Sequence, residues 1–189
     1  MKVMKEPSTT LFPVPTVLVT SQLEGVKPNI ITIAWTGILN SDPPLVYISV
    51  RPQNRHSHRL IKESGEFVIN IPSSGQARVV DYCGTVSGKD TDKFEQTGLT
   101  PVPASRVKAP LIAECPVNLE CRVRQVLPLG SHDVFIADVL AVHYNEEALD
   151  EKGRPDVNKI SPYAYCLGEY RQMADKLGSF GYSRKKPVD

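Results

Sequence analysis

Val117-Asn118-Leu119-Glu120-Cys121-Arg122-Val123-Arg124 alternates apolar and polar residues without a break. That is the period of a strand with one buried face. Pro128-Leu129-Gly130-Ser131 then supplies turn chemistry, and residues 133–142 return as a long apolar run, so the whole reads as a hairpin. Working back from it, residues 14–20, 30–35 and 45–50 are short runs rich in β-branched side chains. Glu24-Gly25, Lys27-Pro28-Asn29 and Asn40-Ser41-Asp42-Pro43-Pro44 punctuate them as turns. Residues 66–71 form another strand, stopped by Pro72, and residues 163–167 a last one.

Short helices fill the gaps. Ser57 is placed to cap a helix over 58–64 that Gly65 ends. Residues 76–82 and 90–97 read as two more, the second closed by Gly98. Between them Cys83-Gly84-Thr85-Val86-Ser87-Gly88-Lys89 reads as a tight polar loop. Residues 150–158 form a charged loop, and a Gly-rich tail ends in Ser183-Arg184-Lys185-Lys186. Two blocks of strands separated by short helices predict a mainly β, α+β fold: an antiparallel barrel with helical insertions. No repeat or linker divides the chain, so one domain over residues 1–189 is expected, its core at about 10–183.

A net charge of +1 argues against nucleic acid or an anionic membrane as partner, because both demand a basic excess. Residues 1–10 are polar and the first apolar run is far too short for a membrane span, which points to the cytoplasm. Cys83, Cys115, Cys121 and Cys166 form no CxxC pair, and reduced thiols are expected.

Four places carry candidate chemistry. Residues 51–59 crowd Arg51, Arg55 and Arg59 with His56 and His58 at a helix start, where free N–H groups favour an anion. The same residues equally suit a solvated basic connection with Ser57 as a plain cap. Thr32, Ala34 and Thr36 fall on one face of the predicted strand, where small and polar side chains admit a flat ring; threonine's ordinary strand preference explains them more simply. Gly84 to Lys89 has the outline of a triphosphate loop but is one residue short, and Asp90 stands where a hydroxyl should bind magnesium. It reads as a turn or a loop that closes on a ligand. His56 and His58 lack a third ligand, so no metal site is expected, and His132 opens a strand where it is either a proton donor or a turn residue. No GxGxxG, GxSxG or HExxH motif is present.

In order along the chain, several stretches resemble the flavin-reductase-like family and its flavoredoxin branch. They are Pro13-Val14-Pro15-Thr16-Val17-Leu18-Val19-Thr20, Asn29-Ile30-Ile31-Thr32-Ile33-Ala34-Trp35-Thr36-Gly37, Pro43-Pro44 with Ile48-Ser49-Val50-Arg51, and Ser64-Gly65-Glu66-Phe67-Val68-Ile69-Asn70. Asp81-Tyr82-Cys83-Gly84, Ser87-Gly88-Lys89-Asp90, Gly130-Ser131-His132-Asp133, Leu177-Gly178 and Gly181-Tyr182-Ser183 continue the set. The resemblance implies an FMN-binding split β-barrel and a homodimer with flavin near the subunit boundary. It implies Asn29, Thr32, Ala34, Trp35 and Thr36 along the flavin ring, and Ser49, Arg51, Arg55, His56 and Ser57 at the ribityl and phosphate groups. Cys83, Gly84, Ser87 and Lys89 fall on the loop that closes the site, and His132 at the open flavin face. No side chain acts as nucleophile or metal ligand. The expected activity is transfer of electrons from NAD(P)H through FMN to an acceptor. An FMN carrier reduced by a partner protein, or a barrel that has lost its cofactor and serves as a binding module, are the rival readings.

Overall fold

The computed structural model describes residues 1–53 and 55–184. Strands β1 (Val14–Pro15), β2 (Val17–Ser21), β3 (Asn29–Ile33), β4 (Thr36–Ser41) and β5 (Pro44–Val50) come first. Helix α1 (His56–Ser64) leads into β6 (Glu66–Ile71), followed by α2 (Ala77–Thr85), α3 (Lys93–Thr97) and the short β7 (Pro101–Val102) and β8 (Leu111–Ile112). The opening hairpin is β9 (Val117–Pro128) and β10 (Asp133–Tyr144); α4 (Val157–Ile160), β11 (Tyr163–Cys166) and β12 (Glu169–Gln172) end the ordered elements. Among the described residues no helix is long and apolar enough to cross a membrane.

Seven strands form one antiparallel sheet in the order β3-β2-β6-β9-β10-β5-β4. Its two ends share a core: Ile31 and Ile33 of β3 pack in one cluster with Val46, Ile48 and Val50 of β5, around Phe67 and Phe135. A sheet whose ends meet over common side chains is a barrel, and since β3 and β4 are its two edges the barrel is split between them. Two register shifts in the β9–β10 pairing give the long hairpin the extra bend this closure needs. Strand β2 is buried at all five positions because Leu18 faces a second cluster with Val80, Cys83 and Phe94 on the helices outside. That is why it reads as a continuous apolar run.

Several local expectations change. The strand predicted over 30–35 ends at Ile33: residues Ala34 and Trp35 bend, and Thr36 starts β4 at the opposite edge of the sheet. Thr32, Ala34 and Thr36 therefore do not share a strand face. The strand over 14–20 is interrupted at Thr16, and β1 joins β11 and β12 in a separate sheet. Ser57 does not cap α1; Arg55 is the N-cap residue, with no side-chain bond, and Ser57 lies buried in the first turn. Its hydroxyl accepts from Asn29 Nδ2 at 2.8 Å instead. Helix α2 runs on to Thr85, so Cys83 and Gly84 belong to its last turn and not to a loop. Asp92 caps α3 by accepting from the Glu95 N–H, which moves the helix start to Lys93. Strands β4 and β12 were not expected. Gly65 and Gly98 end their helices in the left-handed conformation, as predicted. The four cysteines are free thiols. Lys185 and Lys186 of the tail lie outside the described residues.

Glu120 and Asn70 are buried polar groups of the barrel wall that are bonded. Glu120 of β9 is fully buried, and its carboxylate accepts from the backbone N–H groups of Ser105, Arg106 and Val107, the Ser105 hydroxyl and His143 Nε2. Burial alone would raise its pKa, but the Ser105 donors, His143 and Arg106 hold it down at about 2. Asn70 of β6 accepts from the Ile112 N–H at 3.0 Å and from Asn118 Nδ2 at 2.8 Å, tying three strands together.

Candidate functional site

At the seam of the split barrel lies a cleft of about 410 Å³. Its floor is the end of β3 and the bend, from Ile31 to Trp35; Ser49, Val50 and Arg51 leave β5 beside it, with Arg55 beyond. Asp81, Gly84 and Thr85 of α2 form one wall, and Tyr165 and Tyr170 of the β11–β12 hairpin another. Spacings of three and four residues put these α2 side chains on one helix face. A second hollow of about 600 Å³ continues from the first through the shared Arg51 and Arg55, and is completed by Pro52, Gln53, Gly130 and Ser131.

Close approach fixes the α2 wall. A Cβ on Gly84 would stand 3.2 Å from the Thr32 Cβ, so the helix end rests on β3. The Thr32 hydroxyl donates to the Val80 carbonyl. Trp35 and His132 stack across the mouth with ring centroids 4.5 Å apart and planes tilted by 32°. Burial and the nearby Arg51 lower the His132 pKa below its ordinary value, which favours the neutral imidazole. Tyr170 donates to Asp81 Oδ1 at 3.1 Å and meets Tyr165 edge to face.

The electrostatics are lopsided. Neither Arg51 nor Arg55 forms an ion pair with a carboxylate among the described residues, and Arg55 makes one long bond, Nη1 to the Gly84 carbonyl at 3.4 Å. The α1 N-terminus beside them has no side-chain cap and no acidic residue in its first turn. A helix N-terminus without a side-chain cap and two guanidinium groups without a carboxylate among the described residues are the groups that favour an anion. Thr16, 4% exposed, lines the cleft with a hydroxyl that has no hydrogen-bond partner among the described residues.

The structure therefore gathers Thr32, Ala34, Trp35, Ser49, Arg51, Arg55, Gly84 and His132 at one cleft. It puts Asn29, His56 and Lys89 elsewhere, around a separate hollow of about 260 Å³ behind the loop after α2. Gly88 seals that loop onto the Asn29 side chain, where an added Cβ would collide at 2.0 Å. Ser87 accepts from the Lys89 N–H, and Thr36 donates to the Tyr47 carbonyl at 2.6 Å. Cys83 is fully buried and burial, with Lys93 opposing, pushes its thiol up to about 11, so it is no thiolate nucleophile. Below it the ammonium of Lys93, also buried, donates to the carbonyls of Ile30 and Cys83 at 2.8 and 2.6 Å. Thr16, Asp81, Thr85, Tyr165 and Tyr170 line the cleft without having been singled out as ligand contacts. For Tyr165 the signal was available, since it lies on the predicted last strand.

A split barrel with a cleft at its seam, rimmed by Trp35, Tyr165 and Tyr170 and open to Arg51 and Arg55, defines the class. The flavin reductase like domain matches residues 9–174, and the chain belongs to that family, among the flavin-related oxidoreductases. An uncharacterised protein of Pyrococcus abyssi is 39% identical over 167 residues, 88% of this chain and 94% of that protein. The solved flavoredoxin of Desulfovibrio vulgaris (Miyazaki F) superposes with a TM-score of 0.90 at 35% identity, covering 98% of this chain and 100% of the other. An FMN-binding protein from Thermus thermophilus, solved with 1-cyclohex-2-enone, gives a TM-score of 0.78 at 26% identity, over 95% of this chain and 97% of that one.

Proposed function

We propose that the cleft holds FMN and that the protein passes electrons from NAD(P)H through the flavin to an acceptor. The observation that carries this is the junction of the two hollows: a floor open to a flat ring runs directly into two guanidinium groups without carboxylate partners among the described residues. One end suits an aromatic system and the other a single phosphate, which are the two ends of FMN. The residues present fit such a ligand, since Thr16 offers a buried hydroxyl unbonded among the described residues and the bend at Ala34 and Trp35 offers backbone outside the strand ladder. The flavoredoxin and FMN-binding relatives support the same cofactor.

Bound flavin supplies the two-electron redox chemistry; the chain supplies binding, orientation and electrostatics. Arg51 and Arg55 hold the phosphate by charge-assisted bonds. Trp35 rims the cleft, and the His132 imidazole stacked on it would offer a hydrogen-bond donor to a bound ring or substrate. The α2 wall stays shut because Gly84 lies against Thr32. The proposal includes a homodimer, supported by Leu11, Leu177 and Phe180, which the described ends of the chain leave exposed.

The test is an absorption spectrum of desalted protein followed by anaerobic addition of NADH, then NADPH. Flavin bands that bleach promptly are the expected result. Bands that persist make it a carrier reduced by a partner protein, and a colourless protein that takes up no added FMN ends the flavin reading.

A further inference from the structure

Three separate stretches present the basic side chains of the cleft. Arg51 follows β5, Arg55 precedes α1 and His132 precedes β10. Each is half-exposed or exposed; His132 stacks on Trp35 and Arg55 makes one long bond to the Gly84 carbonyl, contacts that do not tie the three stretches to one another. Something behind them must set their relative positions, because three side chains on three separate stretches would otherwise lose entropy with every ligand they bind.

Behind them is a buried pair that flavin chemistry does not use. His58 Nε2 and Asp133 Oδ2 are 2.9 Å apart, and each residue is 7% exposed. His58 sits one turn into α1, and its backbone N–H donates to the Arg55 carbonyl at 3.1 Å. Asp133 is the first residue of β10, directly after His132, and in the ladder it stands opposite Val50, the residue before Arg51. Through one hydrogen-bonded contact the pair thus joins the backbones that carry Arg55, His132 and Arg51. The His58 ring is itself held edge-on by Phe135, centroids 5.4 Å apart, so the imidazole cannot swing away from Asp133. The turn before His132 is closed by the Leu129 N–H to His132 carbonyl bond at 2.9 Å, which leaves Asp133 as the anchor on its other side.

We propose that His58 and Asp133 are positioning residues for the cleft: their buried contact fixes Arg51, Arg55 and His132 as one rigid wall. Neither lines the cleft or the hollow that continues it. A merely structural pair would be interchangeable with any packing that keeps the fold, whereas a positioning pair must keep its geometry. The proposal rests on the flavin reading for the ligand but not for the wall itself, so two measurements separate them.

The first is calorimetric titration of FMN into cofactor-free parent, His58→Leu and His58→Gln, each checked for cooperative melting. Leucine removes the donor; glutamine keeps a donor of similar reach. The expected result is affinity lower by about tenfold or more in His58→Leu, with His58→Gln restored to within about threefold of the parent. The second is the imidazole proton resonances of His132 by NMR without flavin, which should move in His58→Leu and stay in His58→Gln. If His58→Leu does not fold, His58→Asn replaces it, since its shorter amide also leaves Asp133 without a donor. A folded donor-less variant with parental FMN affinity and unmoved His132 resonances overturns the proposal. If the parent takes up no FMN, the flavin reading fails and the His132 resonances alone decide the positioning role.

Discussion

At Glu120 every part of the carboxylate meets a donor, from three backbone N–H groups, a serine hydroxyl and a histidine. At Arg51 and Arg55 two guanidinium groups share one long bond to a carbonyl and meet no carboxylate among the described residues. Both regions belong to the same barrel. The first is a charge used to finish the fold, pinning the segment around Ser105 to β9. The second is charge that the fold leaves open for something else. A buried charge survives only when it is paired or bonded, while an exposed one can wait for a ligand at little cost.

The contrast predicts how substitutions divide. Glu120→Ala should have the largest effect on stability, about 3–5 kcal/mol, because it strands several buried donors at once. A lower urea midpoint at neutral pH checks this, and a midpoint equal to the parent's would place Glu120 with the expendable charges. Its pKa, held at about 2 against an ordinary 4.5, adds a pH signature. The folded state keeps the carboxylate charged more readily than the unfolded chain does, so its contribution is present above about 4.5 and disappears as pH falls through about 2. The alanine variant should lack that acid limb.

Lys93 lies between the two extremes, buried yet bonded only to carbonyls. Burial lowers its pKa from 10.5 to about 8, with Cys83 opposing and Arg55 adding. Below about 8 the folded state carries an expensive charge; between there and 10.5 the unfolded chain binds more protons, so stability rises with pH. Burial raises the thiols of Cys83, Cys115 and Cys121 to about 11, 12 and 12, and they work the other way above their ordinary value of 9. The difference between parent and Lys93→Met isolates the lysine: it should change by on the order of 3 kcal/mol across that window, measured by urea unfolding at a series of pH values. A flat difference would mean the ammonium is solvated. The smallest effect on stability is expected for Arg51→Ala/Arg55→Ala, within about 0.5 kcal/mol of the parent, with flavin uptake lost from the same preparation. A clearly destabilised double variant would make the two arginines part of the fold's own bonding and erase the contrast.

What the sequence disclosed follows the same division between local and distant causes. The β9–β10 hairpin, strand β6 and the glycines closing α1 and α3 were legible because alternation and left-handed caps are local. The end of β3 was not: residues 34 and 35 bend because the chain must cross from one sheet edge to the other, and only closure of the barrel requires it. Strand β12 was hidden because Leu167, at φ 50°, and Gly168, at φ 93°, make the hairpin turn, and leucine gives no turn signal. Ser57 is a good capping residue by type, but Asn29, distant in sequence, claims its hydroxyl. The cleft's cationic end was readable from residues 51–55. Its separation from Asn29, His56 and Lys89 depends on where Gly88 lands, which no spacing could announce.

Trp35 is the one tryptophan in the chain, and it stands at the cleft mouth against His132. The protein therefore carries a built-in optical gauge, because all of its indole emission originates at the place where a ligand would enter. A ring that fills the cleft should drain that emission by energy transfer, and protonation of His132 should quench it by contact. Filling and titration of the site become visible in one cuvette, with no label attached.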